Sequence, residues 1–287
     1  MKFKRVFWGI FLFGILSLKG ESRYFFPIHL PRDCGDYAGY WALVLEPGYL
    51  EIEAENQIVN LAEAGHPYPG VGKLWVIKDK KRLEKIFNLS GLTRRSKFQL
   101  LSEAGKIITC PLVDLGYFRL NQGTIFTLAI LNPPRKKEFK TTRWLLAWEE
   151  KKSGKNFTPR MIAFDKISLQ ECGDYLFRCE SGFKGEVFTE RACFRFSFQE
   201  KDFYLVSFWH HPSKDFELEE YRTDACWFQG DKFQPLAGGI FLKAVFELED
   251  SLFLIGSGGN GARVCRYLLK FQNDEFRIIK ESACLEY

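Results

Sequence analysis

The chain has 287 residues, of which 46% are hydrophobic and 27% charged, and its 41 basic and 36 acidic residues leave a formal net charge of +5. That apolar content rules out a disordered chain, and 24 Gly with 11 Pro rule out a collagen-like or low-complexity one. The charges are too evenly balanced for a protein that holds nucleic acid through its phosphates, so no nucleic-acid partner is expected.

The first 22 residues read as a signal peptide. Lys2, Lys4 and Arg5 precede an apolar run from Val6 to Leu18, and Gly20 and Ser22 put small residues at −3 and −1 of a cleavage after Ser22. The run ends at Lys19 and falls short of the roughly 20 apolar residues that a membrane span needs. Cys34 is the first cysteine, too far downstream to carry a lipid anchor. Cleavage removes Lys2, Lys4, Arg5, Lys19 and Glu21 and leaves 37 basic and 35 acidic residues. The mature chain, 23–287, is expected to be one β-repeat domain, periplasmic or secreted, without a transmembrane segment.

All eight cysteines lie in that mature chain: Cys34, Cys110, Cys172, Cys179, Cys193, Cys226, Cys265 and Cys284. An even count in an exported protein predicts disulfides, and the absence of any C-x-x-C argues against zinc knuckles and thioredoxin-like motifs. Cys172–Cys179 is the first choice of pair, with the six intervening residues crossing a hairpin turn.

In chain order, short apolar and β-branched runs predict strands at Lys73–Ile77, Lys106–Cys110, Thr124–Leu131, Arg143–Trp148, Phe203–Trp209, Ile240–Leu248 and Leu252–Ile255. Lys80–Asn88 admits two readings. One is a helix capped by Asp79 and ended by Gly91, with Leu83, Ile86 and Phe87 on one face; the other, favoured here, is strand, turn, strand. The fold class expected is all-β.

A hairpin pattern recurs. Phe118-x-Leu120, Phe196-x-Phe198 and Phe246-x-Leu248 each precede a short polar turn and a strand apolar on both faces, and Ile167-x-Leu169 and Ile52-x-Ala54 begin poorer copies. The segment Leu242–Ile279, with Gly256, Gly258, Gly259 and Gly261 at one expected turn and Asn273–Asp274 at the next, resembles a β-propeller blade of loosely kelch-like form. The resemblance implies five or six four-stranded blades around a channel. An antiparallel sandwich or open barrel is the alternative. An outer-membrane barrel is disfavoured, because strands such as 126–131 and 252–256 are apolar on both faces and do not alternate.

Residues able to carry chemistry are scattered. The histidines are His29, His66, His210 and His211; adjacent in a strand, the last two face opposite ways, so metal binding is not expected and solvated imidazoles before Pro212 are. The Gly256–Gly261 run reads as a tight turn with positive φ, since a strand rather than a helix is expected after it, and no phosphate-binding cofactor is implied. Asp33, Asp36, Asp114, Asp165, Asp174, Asp202 and Asp224 supply carboxylates whose separations spacing cannot give. Trp41, Trp75, Trp144, Trp148, Trp209 and Trp227 are candidates for ligand contact, although large aromatics belong mainly to cores. Basic loops at Arg135–Lys140 and Lys151–Lys155 and an acidic one at Asp215–Glu220 suit solvated hairpin tips. Asn88 and Asn156 match glycosylation acceptors.

No G-x-S-x-G elbow is present, and no catalytic, metal or cofactor residue is assigned. The expectation is an exported binding or scaffold module for a protein or carbohydrate ligand, with the binding face formed by loops at one end. The alternative is an extracytoplasmic hydrolase on the same fold, directed at glycans.

Overall fold

The structure, a computed structural model, describes residues 23–45, 74–119, 125–133, 139, 141–150, 158–181, 186–211, 222–236, 240–260, 263–282 and 285–286. The expected signal peptide, the Ile52 copy of the hairpin, His66, Asn156, the acidic loop and nearly all of the two basic loops lie outside these residues.

The N-terminal part is an eight-stranded antiparallel sheet. Its strands are β1 (Tyr24–Phe25), β2 (Pro27–His29), β3 (Trp41–Leu45), β4 (Leu74–Val76), β5 (Lys97–Ser102), β6 (Ile107–Arg119), β7 (Ile125–Leu131) and β8 (Trp144–Glu149). The order is β1-β8-β5-β6-β7-β3-β2, with β4 added on β6. The two ends of that path, β1 and β2, are separated only by Phe26, so one bent stretch of chain pairs with β8 on one side and β3 on the other and nearly closes a barrel. Phe98, Leu100, Leu128 and Ile130 fill it.

The C-terminal part repeats that device in an 11-stranded sheet. Its strands are β9 (Arg160–Ile162), β10 (Phe164–Ile167), β11 (Val187–Phe198), β12 (Lys201–His211), β13 (Arg222–Gln229), β14 (Lys232–Leu236), β15 (Phe241–Leu248), β16 (Ser251–Asn260), β17 (Arg263–Gln272), β18 (Glu275–Glu281) and β19 (Leu285–Glu286). Two four-stranded meanders, β11–β14 and β15–β18, face each other across a core of Phe194, Phe203, Trp227, Leu252, Leu254 and Leu269. On one side β9 pairs with β15 and β10 with β11, with Ala163 between them. On the other, β13 meets β16 at the single pair Arg222–Asn260.

The all-β class therefore holds, in its barrel and sandwich form. The described strands make two sheets rather than five or six separate blades, because the bent strands β1–β2 and β9–β10 each bridge two edges that a propeller would leave apart. The expected interior strands are interior: β12 lies between β11 and β13, and β16 between β15 and β17. The covers that permit their two-sided apolarity differ. Leu252 and Leu254 of β16 enter the inter-meander core, while Phe253 and Ile255 pack on Phe26, Leu101, Leu146 and Trp148 of the N-terminal barrel. Arg266 reinforces that junction by donating to the Pro27 carbonyl at 2.8 Å.

Two of the expected hairpin turns are two-residue turns with both φ angles positive, at Gln199–Glu200 and Glu249–Asp250, and so is the one at Asn273–Asp274. The Phe118 copy pairs across as Phe118–Phe126. The Ile167 copy is not a hairpin. Its chain enters helix α2 (Leu169–Glu180; α1 is Lys80–Ser90), where Ser168 and Glu171 form a reciprocal capping box. Two Ser168 hydrogen bonds hold the Glu171 carboxyl below its usual range.

Lys80–Ser90 also corrects the strand reading. Asp79 accepts from the Arg82 N–H at 2.9 Å, Gly91 ends the helix at φ 64°, and Ile86 is buried on the barrel. Capping at both ends outweighs a short apolar pattern that a strand shares.

The disulfide expectation holds, and the expected pairing does not. Cys172 bridges Cys193 on β11, and Cys179 bridges Cys226 on β13, with Cα separations of 6.3 and 6.0 Å. Cys265 is disulfide-bonded as well. The helix is kinked at Gly173, and Cys172 and Cys179, on either side of that kink, are both buried against the sheet, where each reaches a different strand and together they clamp the helix to it. Val206, Phe208 and Phe228 fill the space beneath α2.

Candidate functional site

His210 and His211 are both buried, at 2% and 3% exposure, so the expectation of solvated imidazoles fails. Their strand does not end in solvent: β11 pairs alongside it through Val187–His211. His210 continues the α2-covered face, beside the rings of Phe188 and Phe208. Its Nε2 lies 2.6 Å from Asp224 Oδ2 and its Nδ1 lies 3.3 Å from Glu186 Oε2. Nearby, Arg191 pairs with Glu180 at the end of α2. Both imidazole nitrogens thus face carboxylates, and neither is left to accept a proton from a nucleophile. Among the described residues, no group of three or more His, Cys, Asp or Glu side chains forms a metal site.

The other acids do not converge. Asp114 accepts from the Tyr37 hydroxyl, Asp165 pairs with Arg195, Asp202 accepts from Ser197, and Asp36 and Asp174 are exposed. Burial first, then the Asp114 hydrogen bond and charge, push the Tyr37 phenol up to about 12. His29 is exposed against Trp41.

The glycine run is not a tight turn: Gly256, Gly258 and Gly259 are extended in β16 and pair with β17. Gly256 is required for contact, since a Cβ there would lie 2.0 Å from Ile240 Cγ2. A strand, β17, does lie beyond the run, so the phosphate-loop reading gains nothing.

Four of the six candidate tryptophans are core. Trp41, Trp144, Trp148 and Trp227 are buried, and the indoles of Trp41 and Trp144 both donate to the Phe139 carbonyl. Trp75 and Trp209 are half-buried and each lines a cavity.

Three cavities compare as follows. The largest of these, about 640 Å³, lies beside β4 and the start of α1, and Asp79, the one carboxylate among its described lining residues, is spent on the α1 cap. A second, about 490 Å³, lies at the β9–β10 bend, where Arg160 pairs with Glu247 and Arg195 with Asp165. The third, about 220 Å³, opens between the meanders at the end away from the two-residue turns. Glu190 of β11, Trp209 of β12, Phe241 and Lys243 of β15 and Ser257 of β16 line it. Trp209 and Phe241 stack there, 6.0 Å between centroids and 25° between planes. Strand register breaks between Phe188 and Glu190 on β11 and between Leu242 and Ala244 on β15, and such bulges re-aim rim side chains. The side chains of Glu190, Lys243 and Ser257 enter no hydrogen bond or ion pair with the described residues, so the fold leaves those side chains unused.

Sequence reasoning named Trp209 but not its companions. Glu190, Phe241, Lys243 and Ser257 come from three further strands, and only the meander packing brings them together. The class defined is an all-β protein of two bent-strand sheets, one of them clamped by a disulfide-bonded helix. Comparison with family models, with curated proteins and with solved structures found no match.

Proposed function

We propose that the protein is an exported binding module that takes its ligand at the open end of the C-terminal meanders and does not turn it over. The observation that carries this reading is the cavity at Trp209 and Phe241, where three polar side chains that the fold leaves unused surround stacked rings. Supporting export are the basic and apolar N-terminus and the disulfides, which persist in oxidising compartments. Among the described residues no helix is long and apolar enough to cross a membrane.

The hydrolase reading has one observation in its favour, the Asp224–His210 contact at 2.6 Å. Against it, Glu186 occupies the second ring nitrogen. Thermal-shift screening of the mature protein against sugars, amino acids and peptides tests the choice, since a ligand that binds only the folded state raises Tm. The expected result is stabilisation without product. Turnover of a glycoside, ester or peptide that is lost in His210→Ala overturns the binding reading.

A further inference from the structure

Resting on that reading, we infer that the ligand at this cavity is carbohydrate, held as a single sugar ring over the aromatic pair. A cavity of about 220 Å³ is smaller than the 300–1,000 Å³ typical of drug-sized ligands, and so suits one ring of a glycan whose remainder lies outside. The half-buried indole of Trp209, stacked on Phe241, gives an apolar floor suited to the C–H face of a pyranose.

The polar wall selects further. Glu190 projects from one meander and Lys243 from the other, and they make no ion pair with each other. A carboxylate can only accept and an ammonium only donate, so the two sides of the cavity offer opposite hydrogen-bonding roles. A hydroxyl both donates and accepts, and a sugar ring carries hydroxyls around its whole edge, so one molecule satisfies both sides. Ser257, a hydroxyl itself, adapts to either role. An α-amino acid also carries an ammonium and a carboxylate that match Glu190 and Lys243, so it is the competing ligand that the test must separate from a sugar.

The test is saturation-transfer NMR on the mature protein with glucose, galactose, mannose and N-acetylglucosamine, and in parallel with free amino acids and dipeptides. At least one sugar should bind, with its ring C–H protons most strongly saturated. Affinity should fall at least about tenfold in Trp209→Ala and be unchanged in Trp75→Ala. Lys243→Ala and Ser257→Ala, at an exposed and a half-buried position, should each weaken binding severalfold and keep the proposal open to refutation if Trp209→Ala does not fold. Binding of amino acids or dipeptides in place of sugars, lost in the same variants, overturns the carbohydrate assignment and leaves the binding-module reading standing. No binding in either panel, or sugar binding untouched by all three cavity variants, overturns the assignment and this cavity together.

Discussion

The two sheets close by the same device and are held by different means. Each uses one bent stretch of chain, Tyr24–His29 or Arg160–Ile167, to pair with two distant edges. Among the described residues, each carries a helix of more than ten residues against its surface. The N-terminal helix α1 is held by apolar contact, through Ile86 with Leu83 and Phe87, whereas α2 is bonded covalently to β11 and β13. Below the helices the cores also differ. The N-terminal barrel surrounds one interior, while the meanders need cover on both outer faces, and receive it from the barrel on one side and α2 on the other. The lesson is that apolar packing suffices where a sheet nearly closes on itself, and a staple is added where an open face depends on a short helix.

The most disruptive way to break this comparison is Leu254→Asp. Leu254 is 0% exposed between the meanders, and a buried carboxylate without a partner costs several kcal/mol. The variant should fail to fold, seen as loss of the cooperative thermal transition. Asp274→Asn, at an exposed turn with positive φ, should leave Tm unchanged even though it weakens the Lys232 contact that holds the Asp274 carboxyl low.

Next in size are the bridges. Removing Cys179–Cys226 should cost about 2–4 kcal/mol, and by chain entropy about 0.7 kcal/mol more than removing Cys172–Cys193, because it closes 47 residues rather than 21. Hydrogen exchange should show α2 and the β11–β13 face losing protection under reductant while α1 keeps its own. Equal loss in both halves would show that the N-terminal half also relies on the bridges.

His210→Ala should cost about 1–3 kcal/mol, since it leaves Asp224 and Glu186 without their imidazole. Urea midpoints measure it, and a variant as stable as the parent would show that the contact is dispensable to the fold.

Alkaline pH sharpens the N-terminal side of the comparison. Burial favours the neutral forms of Tyr37 and Cys110, and both are pushed up to about 12, from ordinary values of 10.0 and 9.0. The folded state therefore holds these protons more tightly than the unfolded chain. Their stabilisation is complete below the unfolded values and drains as pH rises from about 9 towards 12. Tyr37→Phe should remove the part of that slope that begins near pH 10, read as urea midpoints against pH. An unchanged slope would assign the loss to Cys110 or to Tyr267 in the other half, whose phenol burial also raises.

Much of the local structure was legible. Polar pairs between aromatic strand ends marked the turns at Gln199–Glu200 and Glu249–Asp250, and two-sided apolar runs marked β12 and β16 as interior. The capping residues Asp79 and Gly91 marked α1, although the strand reading was preferred. For α2 the capping box Ser168–Glu171 and the spacing of Cys172, Leu176 and Cys179 on one face were present in the chain but were read as a hairpin.

What the residues settle alone is whatever acts within a few positions: caps, turns, strand alternation, and an even number of cysteines. Pairing of those cysteines, burial of His210, the junction of Phe26 with β16 and the meeting of Glu190, Trp209, Phe241, Lys243 and Ser257 are decided only when distant strands pack. The physical reason is that each needs a spatial separation of a few ångströms between residues tens of positions apart, and periodicity along a strand carries no information about which other strand will lie beside it.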